Sequence, residues 1–205
     1  MSTTPTANTL LPPAVRVAKL LGVVGSAYAA GAYLTISAHT LPSLSTSSAR
    51  DLALTLSTLR ERLSKPLLFV TSASSSAFAF IAYYLYSTPS LTIPVTSVQF
   101  HADSFLPHAD LTAVVVGGGW EVYAVAAGVL AAVVPWQMLG VNQVEKRIAA
   151  AGEGVAAAED KGLQTEVVDA ESMNAESQKW ARGWGVNGLL AAAGAVVGAY
   201  AGAWL

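Results

Sequence analysis

Three places near span ends carry side chains able to do chemistry. Trp180, Trp184 and Asn187 are spaced i, i+4, i+7 and share one face of a helix. Pro135, Trp136, Gln137 and Asn142 close a long apolar run, and His39 closes another. Tryptophan offers a flat ring for stacking, and carboxamides offer directional hydrogen bonds. Together they suit a flat aromatic ligand entering from lipid. The same residues also fit a plainer use: tryptophans as an interface belt, and Asn142 and Asn187 as polar ties between helices. A second constellation, His-Ala-Asp at 101–103 and again at 108–110, offers two imidazoles and two carboxylates to a divalent metal. No helical i, i+4 spacing fixes those ligands, and Asp110 equally serves as an N-terminal charge for the next helix. Glu121 is an acid at the edge of an apolar run, functional or interfacial. There is no phosphate-binding glycine loop, Ser-His-Asp order or zinc helix motif.

The elements that must position these groups are membrane helices. Of 205 residues, 53% are hydrophobic and 12% charged, and the mean hydropathy is +0.49; that is about half the charge of a soluble domain. The expected fold is an all-α, integral membrane four-helix bundle with a short interfacial amphipathic helix and a polar, partly helical third loop. A net charge of -2 with scattered bases excludes a nucleic-acid partner. Without cysteine there is no disulfide framework and no thiolate chemistry.

The uncharged Ser/Thr/Pro-rich residues 1–13 read as a disordered tail, and residues 14–205 as a single membrane domain. Spans are expected at about 18–38, 66–87, 113–142 and 184–205, each near the 20 residues that cross a bilayer. Gly22, Ser26 and Ala30, then Ala124, Gly128 and Ala132, then Gly194, Gly198 and Gly202 recur every fourth residue; such smooth faces suit close helix packing, or a second copy of the chain. Between the first two spans, Leu52, Leu56, Leu59 and Leu63 line one face of 49–65 with Arg50, Arg60 and Arg62 beside them, as in a helix lying at the interface. Pro66 is expected to open the second span. Residues 143–182 form a polar loop holding eight of the thirteen acids, partly helical but exposed to solvent.

Nine of the eleven bases fall in the first and third loops, which makes those loops cytoplasmic and both termini non-cytoplasmic. The expected location is the endoplasmic reticulum or another endomembrane, with lipid as the surrounding partner. On this topology His39, the Pro135 to Asn142 cluster and the Trp180 to Asn187 face meet on one side.

Four segments in order, GAYLTISAHTLPSL, KPLLFVTSASSSAFAFIAYY, YAVAAGVLAAVVPWQMLGVNQVEKRI and WARGWGVNGLLAAAGAVVGAYAG, resemble the anthrone oxygenase-like family of small four-helix membrane proteins. That family usually carries a threonine where Gln137 stands, and an arginine after the fourth-span asparagine where this chain has Gly188. The resemblance implies oxidation of an aromatic polyketide, anthrone to anthraquinone, by molecular oxygen without flavin, haem or metal. Such chemistry needs a base for the benzylic proton and donors for the resulting enolate, whose carbanion then reduces oxygen. It would assign His39, the one histidine on the proposed side, as the base. Gln137 and Asn142 would be oxyanion donors, and Trp136, Trp184, Asn187 and Trp180 would form the substrate wall. The competing expectation is a non-catalytic accessory or helix-packing protein. A small-solute transporter fits less, lacking paired mid-membrane charges or an internal repeat.

Overall fold

The computed structural model describes residues 12–44, 47–88, 119–161 and 169–203. The tail through residue 11 and both His-Ala-Asp copies lie outside them. Four helices are long and apolar enough to cross a membrane, so the chain is an all-α membrane bundle. Helix α1 is Pro13–Thr35, followed by a π-helical turn Ile36–Thr40 and the short α2, Leu41–Leu44. Helix α3 is Ala49–Ser87. The third rod runs through α4 (Trp120–Ala131), α5 (Val133–Trp136), a second π turn (Gln137–Val141) and α6 (Asn142–Asp160). Helix α7 is Ala170–Ala203.

In the membrane half, α1 packs on α3 and α7, and α4 closes the ring between α3 and α7. Phe78 of α3 sits at the centre, with Gly22 of α1 and Gly198 of α7 against its ring; a Cβ at either glycine would overlap it. Ser75 Oγ donates to the Ala127 carbonyl at 2.9 Å, tying α3 to α4, while Ser74 and Thr71 bond carbonyls one turn back on their own helix. Outward positions such as Phe69, Phe80, Tyr83, Leu189 and Val196 are exposed and face lipid.

The helices do not end at the membrane. At 1.5 Å per residue the 39 residues of α3 reach about 58 Å, nearly twice the hydrocarbon thickness. Residues 49–65, expected as a separate interfacial helix, are instead the first half of α3 and continuous with the second span. Pro66 lies inside the helix, where it offers no N–H to the Arg62 carbonyl and its ring crowds that carbonyl. Ser48 caps the start, its Oγ accepting from Asp51 N at 3.1 Å. The third loop is corrected in the same sense: much of it is α6 and the first half of α7, and α6 packs on α3 and α7. Val144, Ile148, Gly152 and Val155 form its buried face.

Proline accounts for the end of α4. Pro135 has no N–H for the Ala131 carbonyl, and α4 stops there. Beyond it the second π turn bonds Asn142 N to the Gln137 carbonyl, one residue wider than an α turn. That added residue turns everything after it by about 100°.

Candidate functional site

At the junction between the membrane bundle and its extension, the inward stripe of the third rod reads Gln137, Val141, Glu145, Ile148, all buried. Stepping by four through the π turn places a carboxylate among apolar neighbours. Glu145 is only 5% exposed. Its Oε1 accepts from Gln137 Nε2 at 2.9 Å, Ser64 Oγ at 3.0 Å, Trp180 Nε1 at 3.2 Å and Trp184 Nε1 at 3.4 Å. Its Oε2 faces Arg60 Nε at 3.6 Å, too long for a hydrogen bond but an ion pair. Asn187 extends the cluster, donating from Nδ2 to Gln137 Oε1 at 2.6 Å.

Each donor arrives by helical spacing. Arg60 and Ser64 are i, i+4 on α3, in line with Leu56 and Leu67. Trp180, Trp184 and Asn187 are i, i+4, i+7 on α7, as the sequence predicts. The two indoles pack with centroids 4.7 Å apart, and Trp184 meets Tyr33 of α1 edge to face at 5.3 Å. Their faces are covered by protein, and both residues are fully buried. What they present to the cluster is the N–H edge.

Of the predicted site residues, Gln137, Trp180, Trp184 and Asn187 come together. Trp136, on the turn that carries Gln137, points outward at 41% exposure, and its Nε1 reaches the Gly183 carbonyl at 3.3 Å. Asn142 is half-buried at the start of α6 and gives no bond to Glu145. His39 lies exposed in the first π turn and is not among the groups bonded to Glu145. That turn grips α7 by another residue: Ser37 Oγ donates to the Ala181 carbonyl at 2.8 Å. Glu121 is half-buried in the first turn of α4, toward the opposite end.

Sequence reasoning missed Glu145, Arg60 and Ser64. The signal was present: Glu145 interrupts the stripe Val141, Val144, Ile148, Val155, and Arg60 and Ser64 interrupt Leu56, Leu67, Thr71. It becomes readable only once the helices are continued past the membrane.

Two buried polar atoms here lack a hydrogen-bond partner, Arg60 Nε and Asn187 Oδ1. Arg60 is 32% exposed in its side chain, so the guanidinium reaches from the cluster to the surface. Among the described residues no three His, Asp or Glu side chains gather as metal ligands.

A separate ion pair ties the extension farther out. Glu176 of α7 meets Lys179 Nζ and Arg147 Nη1 of α6, each at 2.9 Å, and these cations hold its carboxyl below the ordinary range, Lys179 most strongly.

Compared with known proteins, the chain matches no family model, no curated protein and no solved structure.

Proposed function

We propose that this four-span protein is a membrane oxygenase acting on an aromatic polyketide, converting an anthrone to an anthraquinone with molecular oxygen, and that Glu145 is its base. The observation that supports this reading is the buried carboxylate: one oxygen is fixed by Gln137, Ser64, Trp180 and Trp184, and the other faces Arg60 at 3.6 Å, with no hydrogen bond from a described residue. A base held rigidly by one oxygen presents the other in a set direction. Glu145 Oε2 removes a proton from the benzylic CH2 and leaves an enolate. The carbanion carbon reduces oxygen and forms a hydroperoxide. Loss of water from it gives the ketone, so that CH2 + O2 becomes C=O + H2O.

On this reading Trp180 and Trp184 position the carboxylate and do not stack on the substrate, because their faces are already packed. The outward ring of Trp136 is the one left for an incoming aromatic. His39 is not needed for the proton transfer.

A second reading, a non-catalytic membrane protein locked by Glu145, is favoured by the four donors on one oxygen and by the complete burial of both indoles. The two readings separate in membranes expressing the chain. The oxygenase consumes one O2 per quinone formed from a hydroxylated anthrone and releases no hydrogen peroxide. No quinone above control membranes, across a panel of anthrones, would favour the lock.

A further inference from the structure

The hydrogen bonds of Glu145 set the register of three helices. Its Oε1 accepts from Ser64 of α3 and from Trp180 and Trp184 of α7, so these residues lie at one level along the bundle. Lys65 follows Ser64, Lys146 follows Glu145, and Arg182 stands midway between the two tryptophans; Arg62 is one turn back on α3. The inward positions of this layer belong to the polar cluster, and these four bases turn outward and are exposed. The ion pairs of the extension use Arg60, Arg147 and Lys179 instead; among the described residues nothing pairs with Arg62, Lys65, Lys146 or Arg182. At that level the one exposed carboxylate is Glu61. The depth of the layer follows from the lipid-facing stripes. Lys65 and the exposed Tyr83 on α3, and Arg182 and the exposed Tyr200 on α7, are each 18 residues apart, about 27 Å of helix and close to the hydrocarbon thickness. The large outward side chains between those ends are apolar, Phe69 and Phe80 on α3 and Leu189 and Val196 on α7. On the third rod Trp136 marks the same boundary: its ring is exposed, and its Nε1 donates to the carbonyl of Gly183, next to Arg182. Outward tryptophan and tyrosine at span ends sit among headgroups.

We propose that Arg62, Lys65, Lys146 and Arg182 form a docking surface for anionic phospholipid, gathering net negative headgroups around the bundle on the side of the extension. The warrant is charge complementarity at a fixed depth: four unpaired cations against one acid, at the level where lipid phosphates lie. Each Lys or Arg near such a surface favours an anionic lipid by about fivefold. A phosphocholine headgroup offers the same phosphate with its charge cancelled, so the preference is for lipids of net negative charge. The inference is independent of the oxygenase reading, because no member of the Glu145 cluster takes part in it.

The experiment reconstitutes the full-length protein in vesicles of phosphatidylcholine mixed with phosphatidylglycerol and measures quenching of its tryptophan fluorescence. In one series the phosphatidylglycerol carries brominated chains, in the other the phosphatidylcholine does, and the comparison gives the relative association of the two lipids with the protein surface. Wild type is expected to prefer phosphatidylglycerol by about tenfold or more, and Arg182→Gln to lower that preference by about fivefold. Replacing all four bases by glutamine is expected to remove it. Lys161→Gln takes the same charge from the far end of α6, beyond headgroup reach, and is expected to leave the preference unchanged. Should the glutamine variants not fold, wild type alone carries the test: the preference is expected to fall steeply in high salt. Equal association of the two lipids with wild type, or a preference that salt does not move, would overturn the docking surface. Equal losses in Arg182→Gln and Lys161→Gln would overturn it in favour of diffuse net charge. Displacement of the brominated phosphatidylglycerol by inorganic phosphate would overturn the lipid as occupant and leave a soluble anion.

Discussion

Glu145 makes sense only together with what surrounds it. A carboxylate at 5% exposure is costly unless donors replace the water it loses, and here Gln137, Ser64, Trp180 and Trp184 do so. The indoles contribute twice, as buried aromatic mass and as N–H donors. These contributions are separable. Trp180→Phe keeps most of the ring and removes the donor, and is expected to cost about 0.5–1.5 kcal/mol in denaturant unfolding. Trp180→Ala also empties a fully buried volume and is expected to cost about 3–5 kcal/mol. Equal losses would show that the N–H carries the whole effect and the packing none.

The site is set by how far the helices run. Hydropathy gives the number of long apolar helices, four, because an apolar window near 20 residues matches the lipid thickness. The converging face of Trp180, Trp184 and Asn187 is also legible, since a helical period survives whatever precedes it. Glu145 was not, because residues 143–182 look like solvent-exposed loop by composition, and composition cannot show that α3, α6 and α7 continue and cover one another. The π turn adds a further obstacle: one extra residue at Gln137–Val141 changes which later side chains face inward. The extension has its own test in the Arg147–Glu176 pair. Glu176 has a depressed folded value, so its contribution is present above the unfolded carboxyl value near 4.5 and is lost as pH falls through the lower folded one. A double-mutant cycle with Arg147→Met and Glu176→Gln is expected to give a coupling of about 0.2–1 kcal/mol at neutral pH, vanishing at pH below that range. A coupling that persists in acid would place the pair's contribution elsewhere. In the membrane half, Gly198→Val drives a side chain into the Phe78 ring and is expected to destabilise by about 1–3 kcal/mol. Adding Phe78→Leu should recover part of that loss, and simple additivity would show that the contact is not limiting.

At the scale of the whole molecule, four helices are long enough to cross the bilayer and three of them, α3, the third rod and α7, continue on one side as a small helical extension, with the polar cluster at the junction. Arg50, Arg60 and Arg62 of α3, Lys146 and Arg147 of α6 and Lys179 of α7 belong to that extension, and by charge asymmetry a cytoplasmic side is the expectation. A glycosylation acceptor inserted at Gly154 is therefore expected to stay unmodified; modification there would invert the orientation. The central claim is that Glu145 moves a proton and does not merely hold helices together. The measurement that tests it most directly is the initial rate of quinone formation from a hydroxylated anthrone under oxygen by Glu145→Gln, with the thermal unfolding of the same sample. Glutamine keeps an acceptor for the four donors but is no base, so the rate should fall by about 10²–10⁴-fold with the fold retained. A folded Glu145→Gln protein with an undiminished rate would contradict it.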